Sequence, residues 1–444
     1  MRRVVVLVFL FVGMQLLVPL GAGGEGSQTL LAFGFIILAA YTVGEIAAAV
    51  RVPKIVGYLV AGIVFGPSVL GPVTAEAAVG LDPVSRLAVA LIAFLAGAEL
   101  RWADVRERGV SYLRIMSAEL GVAFLAIAGL LLVIRDLIPP LAGAPWSVVV
   151  SFVLLFAAIA VVHSPAVTMA LLSETRADGP VARSTLGVVL LADVAVVLLF
   201  SGALTIARGI APPPGAPGPS LGALVWEITG ALLVGAALGA GVAAYLRFVG
   251  RELVLFAVLV AFFGLEIARL THVELLLTLL TAGFVAENVS SRGDELREAM
   301  ARSAAPIFVI FFALSGAKID LGAVAPLLPL VLPLAVVRAG AIWAGSRVGA
   351  AWAGVSTTER QYVWMGLVSQ AGVAIGLAAI VADAYGELGG YLRGLMLALI
   401  AVNETVGPIL FRRALNRSGE VEAAPASEGV PTRKPSGTAP ESAG

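Results

Sequence analysis

Apolar runs of about twenty residues recur from one end of this chain to the other, divided by short polar turns. A helix rises ~1.5 Å per residue, so a run of that length crosses a hydrocarbon core of ~30 Å. Inside lipid the backbone must satisfy its own hydrogen bonds, which leaves helices and closed barrels. These runs are continuous, whereas barrel strands alternate between apolar and polar residues, so a barrel is excluded. The sequence predicts an all-α polytopic membrane protein with about 13–14 transmembrane helices. Of 444 residues, 59% are hydrophobic and 13% charged, too few charges to coat a soluble fold of this size.

The runs cover residues 4–20, 29–50, 54–70, 84–100, 111–134, 146–173, 181–207, 221–248, 253–270, 273–288, 303–317, 324–350, 360–384 and 389–415. The third and tenth are short and read as tilted or partial spans. Basic residues set the orientation. Arg2, Arg3, Arg51, Lys54, Arg101, Arg106, Arg108, Arg176, Arg183, Arg247, Arg251, Arg292, Arg297, Arg302, Arg347, Arg360, Arg412, Arg413 and Arg417 fall on one face. The other face has mainly Arg135, Arg208, Arg269, Lys318 and Arg393. Positive residues stay inside, so the C-terminus is expected in the cytoplasm, with the protein in the cell (plasma or inner) membrane. The first run, behind Met1-Arg2-Arg3, reads either as a retained helix or as a signal-like segment.

Five regions follow: an N-terminal helix or signal-like segment over 1–28, a first repeat over 29–208, a proline-rich loop and linker helix over 209–250, a second repeat over 251–415, and a disordered cytoplasmic tail over 416–444. The repeats are suggested by polar points in matching places. Asp193 and Glu404 each sit in the last helix of a half. Glu119 and Arg338 each lie two helices earlier. The helix between carries His163-Ser164-Pro165 in one half and Ser369-Gln370-Ala371-Gly372 in the other. With one odd span between them the halves would insert upside down, and inverted repeats with interrupted helices are a secondary-transporter architecture.

Asp193 is the residue most in need of an explanation. A carboxylate in mid-helix costs roughly 2.5–3.5 kcal/mol on insertion scales. Facing water, a cation or a proton path removes much of that cost. Burial favours the protonated acid and a cation favours the carboxylate, so one group can hold either in turn. That competition is the minimal chemistry of exchange. The structural alternative is an acid paired with a hydroxyl. Pro165 removes a backbone donor and frees a carbonyl, which with Ser164, His163 and Gln370 could ligate a cation. The alternative there is an ordinary proline kink. Arg338 is too deep to snorkel, so an acidic partner is expected, Glu119 first and Glu404 next. Asn403-Glu404 reads as an interhelical polar contact or a proton path. Glu45, Glu99, Glu266, Glu274 and Glu287 lie near run ends and need no special role.

Other classes are excluded. Net charge is zero, so no nucleic-acid partner is indicated. No cysteine is present, which removes thiolate metal sites and nucleophiles. No phosphate-cradling glycine loop with its lysine occurs, so no ATP is expected to bind; the expectation is a transporter with no enzymatic activity, no cofactor and no nucleotide.

Arg51-Val-Pro-Lys-Ile-Val-Gly-Tyr-Leu-Val-Ala-Gly-Ile-Val-Phe-Gly-Pro67 and Phe94-Leu-Ala-Gly-Ala-Glu-Leu100 resemble the opening blocks of monovalent cation:proton antiporters of the Kef/NapA type. Pro306-Ile-Phe-Val-Ile-Phe-Phe-Ala-Leu-Ser-Gly316, Gln370-Ala-Gly-Val-Ala-Ile-Gly-Leu377 and Asn403-Glu-Thr-Val-Gly-Pro408 complete the set. The resemblance implies a homodimer, two broken helices crossing at Pro165 and Gly372, and exchange of sodium for protons at Asp193, with potassium the rival ion. Two departures stand out. Many relatives carry a second acid or an amide where this chain has Ala192, and Thr-Asp-Pro where it has His163-Ser164-Pro165. A degenerate non-transporting sensor or scaffold, and a proton-coupled organic-anion carrier that would need Arg338 in the cavity, are the other classes considered.

Overall fold

The structure, a computed structural model, describes residues 25–212, 221–370 and 373–421, with a few positions nearer the N-terminus. Among these residues the elements are helices, with no strand. The first are α1 (Glu25–Ala49), α2 (Lys54–Phe65), α3 (Ala75–Gly80), α4 (Asp82–Glu99), α5 (Trp102–Val133), α6 (Trp146–Ala160), α7 (Pro165–Thr175) and α8 (Pro180–Ile210). Beyond the proline-rich segment lie α9 (Leu221–Phe248), α10 (Leu253–Thr271), α11 (Leu275–Val289), α12 (Gly293–Ala317), α13 (Leu321–Val324), α14 (Leu328–Ala353), α15 (Thr357–Gly366) and α16 (Val373–Ser418). Each apolar run from residue 29 onward has its helix, and the short third and tenth runs are the short helices α2 and α11. The run over 4–20, most of the proline loop, Ala371, Gly372 and the tail beyond 421 lie outside the described residues.

Two departures from the expected bounds have plain causes. Helix α12 begins ten residues ahead of the run at 303, because its opening turns carry Asp294, Glu295, Arg297 and Arg302 and stand clear of the apolar layer. Helix α16 joins the last two runs. Gly386 interrupts it at φ 55°, ψ −125°, a backbone conformation open to glycine and strained for other residues.

Lipid supplies no hydrophobic drive between helices, so close backbone contact must do more of the work. The signature blocks provide it reciprocally. A Cβ on Gly97 would fall 1.9 Å from the Leu280 carbonyl oxygen, and one on Gly283 2.0 Å from that of Phe94, where α4 crosses α11. A Cβ on Gly62 would lie 2.2 Å from the Ala313 oxygen, and one on Gly316 2.2 Å from that of Leu59, where α2 crosses α12. Gly316→Val is expected to cost ~1–3 kcal/mol or more through overpacking. Its thermal unfolding in detergent should fall clearly below that of Gly340→Val, an exposed control on α14 with no neighbouring atom within 4 Å of the added Cβ; equal midpoints would refute the crossing role.

The buried apolar residues of the described chain form two large clusters and a small one of Ala231, Ala268 and Val273. One large cluster holds α1, α2, α4, α7, α11 and α12; the other holds α5, α6, α14 and most of α16. The chain passes from the second to the first across the break between α6 and α7, and α8 contributes to both. The N-terminus of α8 is tied down by the start of the tail: Glu420 accepts from Val181 N at 2.7 Å and Ala182 N at 2.8 Å, filling two donors a helix start leaves open.

Candidate functional site

Two helices break in the middle of the bundle, and the breaks touch. The first covers residues 161–164, between α6 and α7; the described part of the second covers 367–370, after α15. A break orphans the last carbonyls of one half-helix and the first N–H groups of the next. Pro165 has no N–H to lose, and Ser164 caps α7 by accepting from Val167 N at 3.2 Å. The carbonyls need donors, and three side chains deliver them.

Arg338, wholly buried on α14, is the main one. Its Nε donates to the Ala160 carbonyl at 2.5 Å, Nη2 to Val162 at 2.8 Å and Nη1 to Val368 at 2.6 Å. One guanidinium thus holds both breaks and sets a positive charge against the C-terminal ends of two half-helices, where the dipole favours it. This corrects the expected ion pair: Arg338 binds neither Glu119 nor Glu404 directly, because its planar fork is spent on carbonyls. Gln370 Nε2 donates to Ile159 at 3.2 Å, while its Oε1 accepts from Asn403 Nδ2 at 3.0 Å. Gln370, expected as a cation ligand, lines neither of the cavities described below. Glu404, next to Asn403, is buried and lines neither cavity described below.

His163 bonds the Leu367 carbonyl through Nδ1 at 2.7 Å and Glu119 Oε2 through Nε2 at 2.9 Å, with both side chains fully enclosed. A carbonyl can only accept, so Nδ1 carries a proton. A neutral imidazole must then accept at Nε2 from a protonated Glu119; a charged one donates to a carboxylate. Either way one proton is shared and the pair is net neutral. Both ring nitrogens are occupied, so the cation-ligand role expected of His163 has no lone pair left to carry it.

Asp193 Oδ1, like Glu119 Oε1, is buried with no hydrogen-bond partner among the described residues, but Asp193 lines open space. The side chain faces a cavity walled by Val89, Ile92, Ala93 and Ala96 of α4, by His163, Ser164, Pro165 and Ala166 of the first break, by Phe311 of α12 and by Val373 at the start of α16. Room for water-sized molecules amounts to about 40 Å³ there. One water needs ~10–15 Å³, so the cavity accepts a small hydrated ion. The starts of α7 and α16, positive dipole ends, border the same space and favour a negative charge in it. Ala192 is wholly buried and lines no part of it. The sequence marked Asp193 and both breaks. Glu274, a run-end acid for which the sequence indicates no special role, lines a second cavity with Asp193.

A multi-pass helical membrane protein whose broken helices cross beside an unpaired acid has the architecture of a secondary transporter. Residues 34–415 match the family described as sodium/hydrogen exchanger, transmembrane, and the chain belongs to that family. Over 165 residues it is 32% identical to the iron transporter MagA of Paramagnetospirillum magneticum (strain ATCC 700264 / AMB-1), a match covering 36% of this chain and 34% of that protein. The chain therefore spans about a third of that relative's length. Its fold is similar to that of the sodium proton antiporter MjNhaP1 from Methanocaldococcus jannaschii at pH 8, with TM-score 0.64 and 17% identity over 88% of this chain and 97% of that one.

Proposed function

We propose that this protein is a secondary antiporter that exchanges a monovalent cation, sodium first and potassium second, for protons at Asp193. The observation that carries the reading is the buried Asp193 Oδ1, without a hydrogen-bond partner among the described residues, on a side chain that lines a water-sized cavity beside the first helix break. Ser164, at the head of α7, is the neighbouring oxygen donor. Cation and proton take the same carboxylate in turn. The helix breaks, clamped by Arg338, keep that space open without exposing unsatisfied backbone to lipid.

The other classes are less well supported. An organic-anion carrier needs a cationic group in the cavity, and Arg338 lines neither cavity. The partial likeness to an iron transporter puts ferrous ion on the panel to be tested. Among the described residues no three His, Cys, Asp or Glu side chains converge, and an oxygen-only site suits a hard monovalent cation better than a transition metal. The proposed setting is a homodimer in the cell membrane with the arginine-rich face and C-terminus in the cytoplasm, and with residues 29–208 and 251–415 as inverted repeats.

The test is a cation-driven pH change in vesicles containing the purified protein, with sodium, lithium, potassium and ferrous ion added separately. Sodium is expected to give the largest response. The same vesicles report charge balance. Ala192 carries no proton and lines neither cavity, so exchange is expected to be one for one. Clamping the membrane potential at different values should leave the rate unaltered; a clear voltage dependence would show a second titrating carrier.

A further inference from the structure

Asp193 also lines a second, smaller cavity, and Glu274 stands in its wall. The two cavities share Asp193, Leu276, Leu280 and Val373, so the route from one to the other runs past the Asp193 carboxylate. Room for water-sized molecules in the second is about 20 Å³, enough for a water or a partly hydrated ion. Its other lining residues are aliphatic, Leu190, Val194, Val197 and Ile228 among them. The two acids are therefore the charged groups that a cation there would meet.

Glu274 is half-buried at the head of α11, where its carboxylate accepts from Leu277 N as a helix cap. Capping does not explain the choice of residue. Ser, Thr, Asp and Asn cap well and are the preferred types, and glutamate is not among them. A longer acid reaches further into the cavity while still meeting the first turn. The location is also informative. Glu274 N donates to the Glu227 carbonyl at 3.2 Å, at the end of α9 that follows the proline loop. This is the arginine-poor end of the bundle, so the second cavity lies between Asp193 and that face.

The geometry points to a cation waypoint formed by Glu274 and Asp193: a partly hydrated monovalent cation from the proline-loop side pauses in the second cavity, held between two carboxylates, before reaching Asp193 alone. The unpartnered Asp193 Oδ1 supplies the inner ligand and Glu274 the outer one. This rests on the antiport reading and adds a sidedness to it. A fixed negative charge in a low-dielectric cleft raises the local cation concentration, and its removal is felt first by ions arriving through that cleft.

Right-side-out and everted membrane vesicles present the two faces separately. Glu274→Gln keeps an oxygen for the Leu277 cap and removes the charge. The KM for sodium added on the proline-loop face is expected to rise about tenfold, at the lower end of charge-focusing effects. Maximal rate and the KM from the opposite face should stay at wild-type values, and Glu274→Asp, which keeps the charge on a shorter side chain, should restore part of the lost affinity. An unchanged KM from both faces, an equal rise on both, or a lower maximal rate at unchanged KM would each overturn the waypoint while leaving antiport intact. Wild-type vesicles that move no protons with any cation from either face would overturn the antiport reading, and the waypoint with it.

Discussion

Asp193→Asn is expected to abolish cation-driven proton movement while the protein still inserts and folds. The substitution is nearly isosteric, so the packing of α8 is kept. It removes both the titrating proton and the negative ligand, the two things that exchange at a shared site requires. The other ionisable groups near the first break do not substitute for it, because His163 and Glu119 spend their shared proton on each other. The measurement is the pH response of vesicles reconstituted with equal amounts of wild-type and variant protein. Wild-type rates in the variant would move the exchange site elsewhere. A dead variant with normal thermal unfolding would separate chemistry from folding.

Arg338→Ala is expected to have the largest effect on stability. It strips three carbonyls, those of Ala160, Val162 and Val368, of their guanidinium donors in a dry place. Each unsatisfied buried group costs ~1–3 kcal/mol, so the loss is several kcal/mol. Ser164→Ala loses one cap bond, worth ~1 kcal/mol. Thermal unfolding in detergent should therefore drop far more for Arg338→Ala than for Ser164→Ala. Arg338→Lys keeps the charge but loses the planar fork that reaches both breaks, and should fall between them. Adding Glu119→Gln to an Arg338→Gln background should recover nothing, since Glu119 pairs with His163. Recovery in that double variant would restore the direct ion pair that the sequence suggested and would count against the clamp.

That contrast marks where the sequence was legible and where it was not. Apolar run length located the spans from residue 29 onward, because the thickness of the bilayer fixes that length. His163-Ser164-Pro165 and the Ser369-Gln370 element announced the breaks, because proline and small polar residues at mid-run weaken helices locally. Asp193 was conspicuous because a lone acid in an apolar helix is costly. What stayed hidden was set by tertiary contact. Arg338 asked for a partner, and sequence offers only side chains as candidates; the carbonyls it binds exist as acceptors only after two helices break beside it. Glu119 and His163 are 44 residues apart, and nothing local pairs them. Glu274 looked like a run-end acid because its other neighbour, the cavity past Asp193, is made by α8 and α9 from another part of the chain. The repeated glycines of the signature blocks were visible, but their role as backbone contact points at two helix crossings was not.

In the proposed mechanism one carboxylate couples two opposite fluxes. Labelled sodium followed in vesicles of the purified protein, while the imposed pH gradient is reversed, reads that coupling. With the interior acidic, sodium should accumulate inside; with the interior alkaline, it should be driven out. A sodium flux that runs down its own gradient at the same rate whatever the sign of the pH gradient would contradict the account.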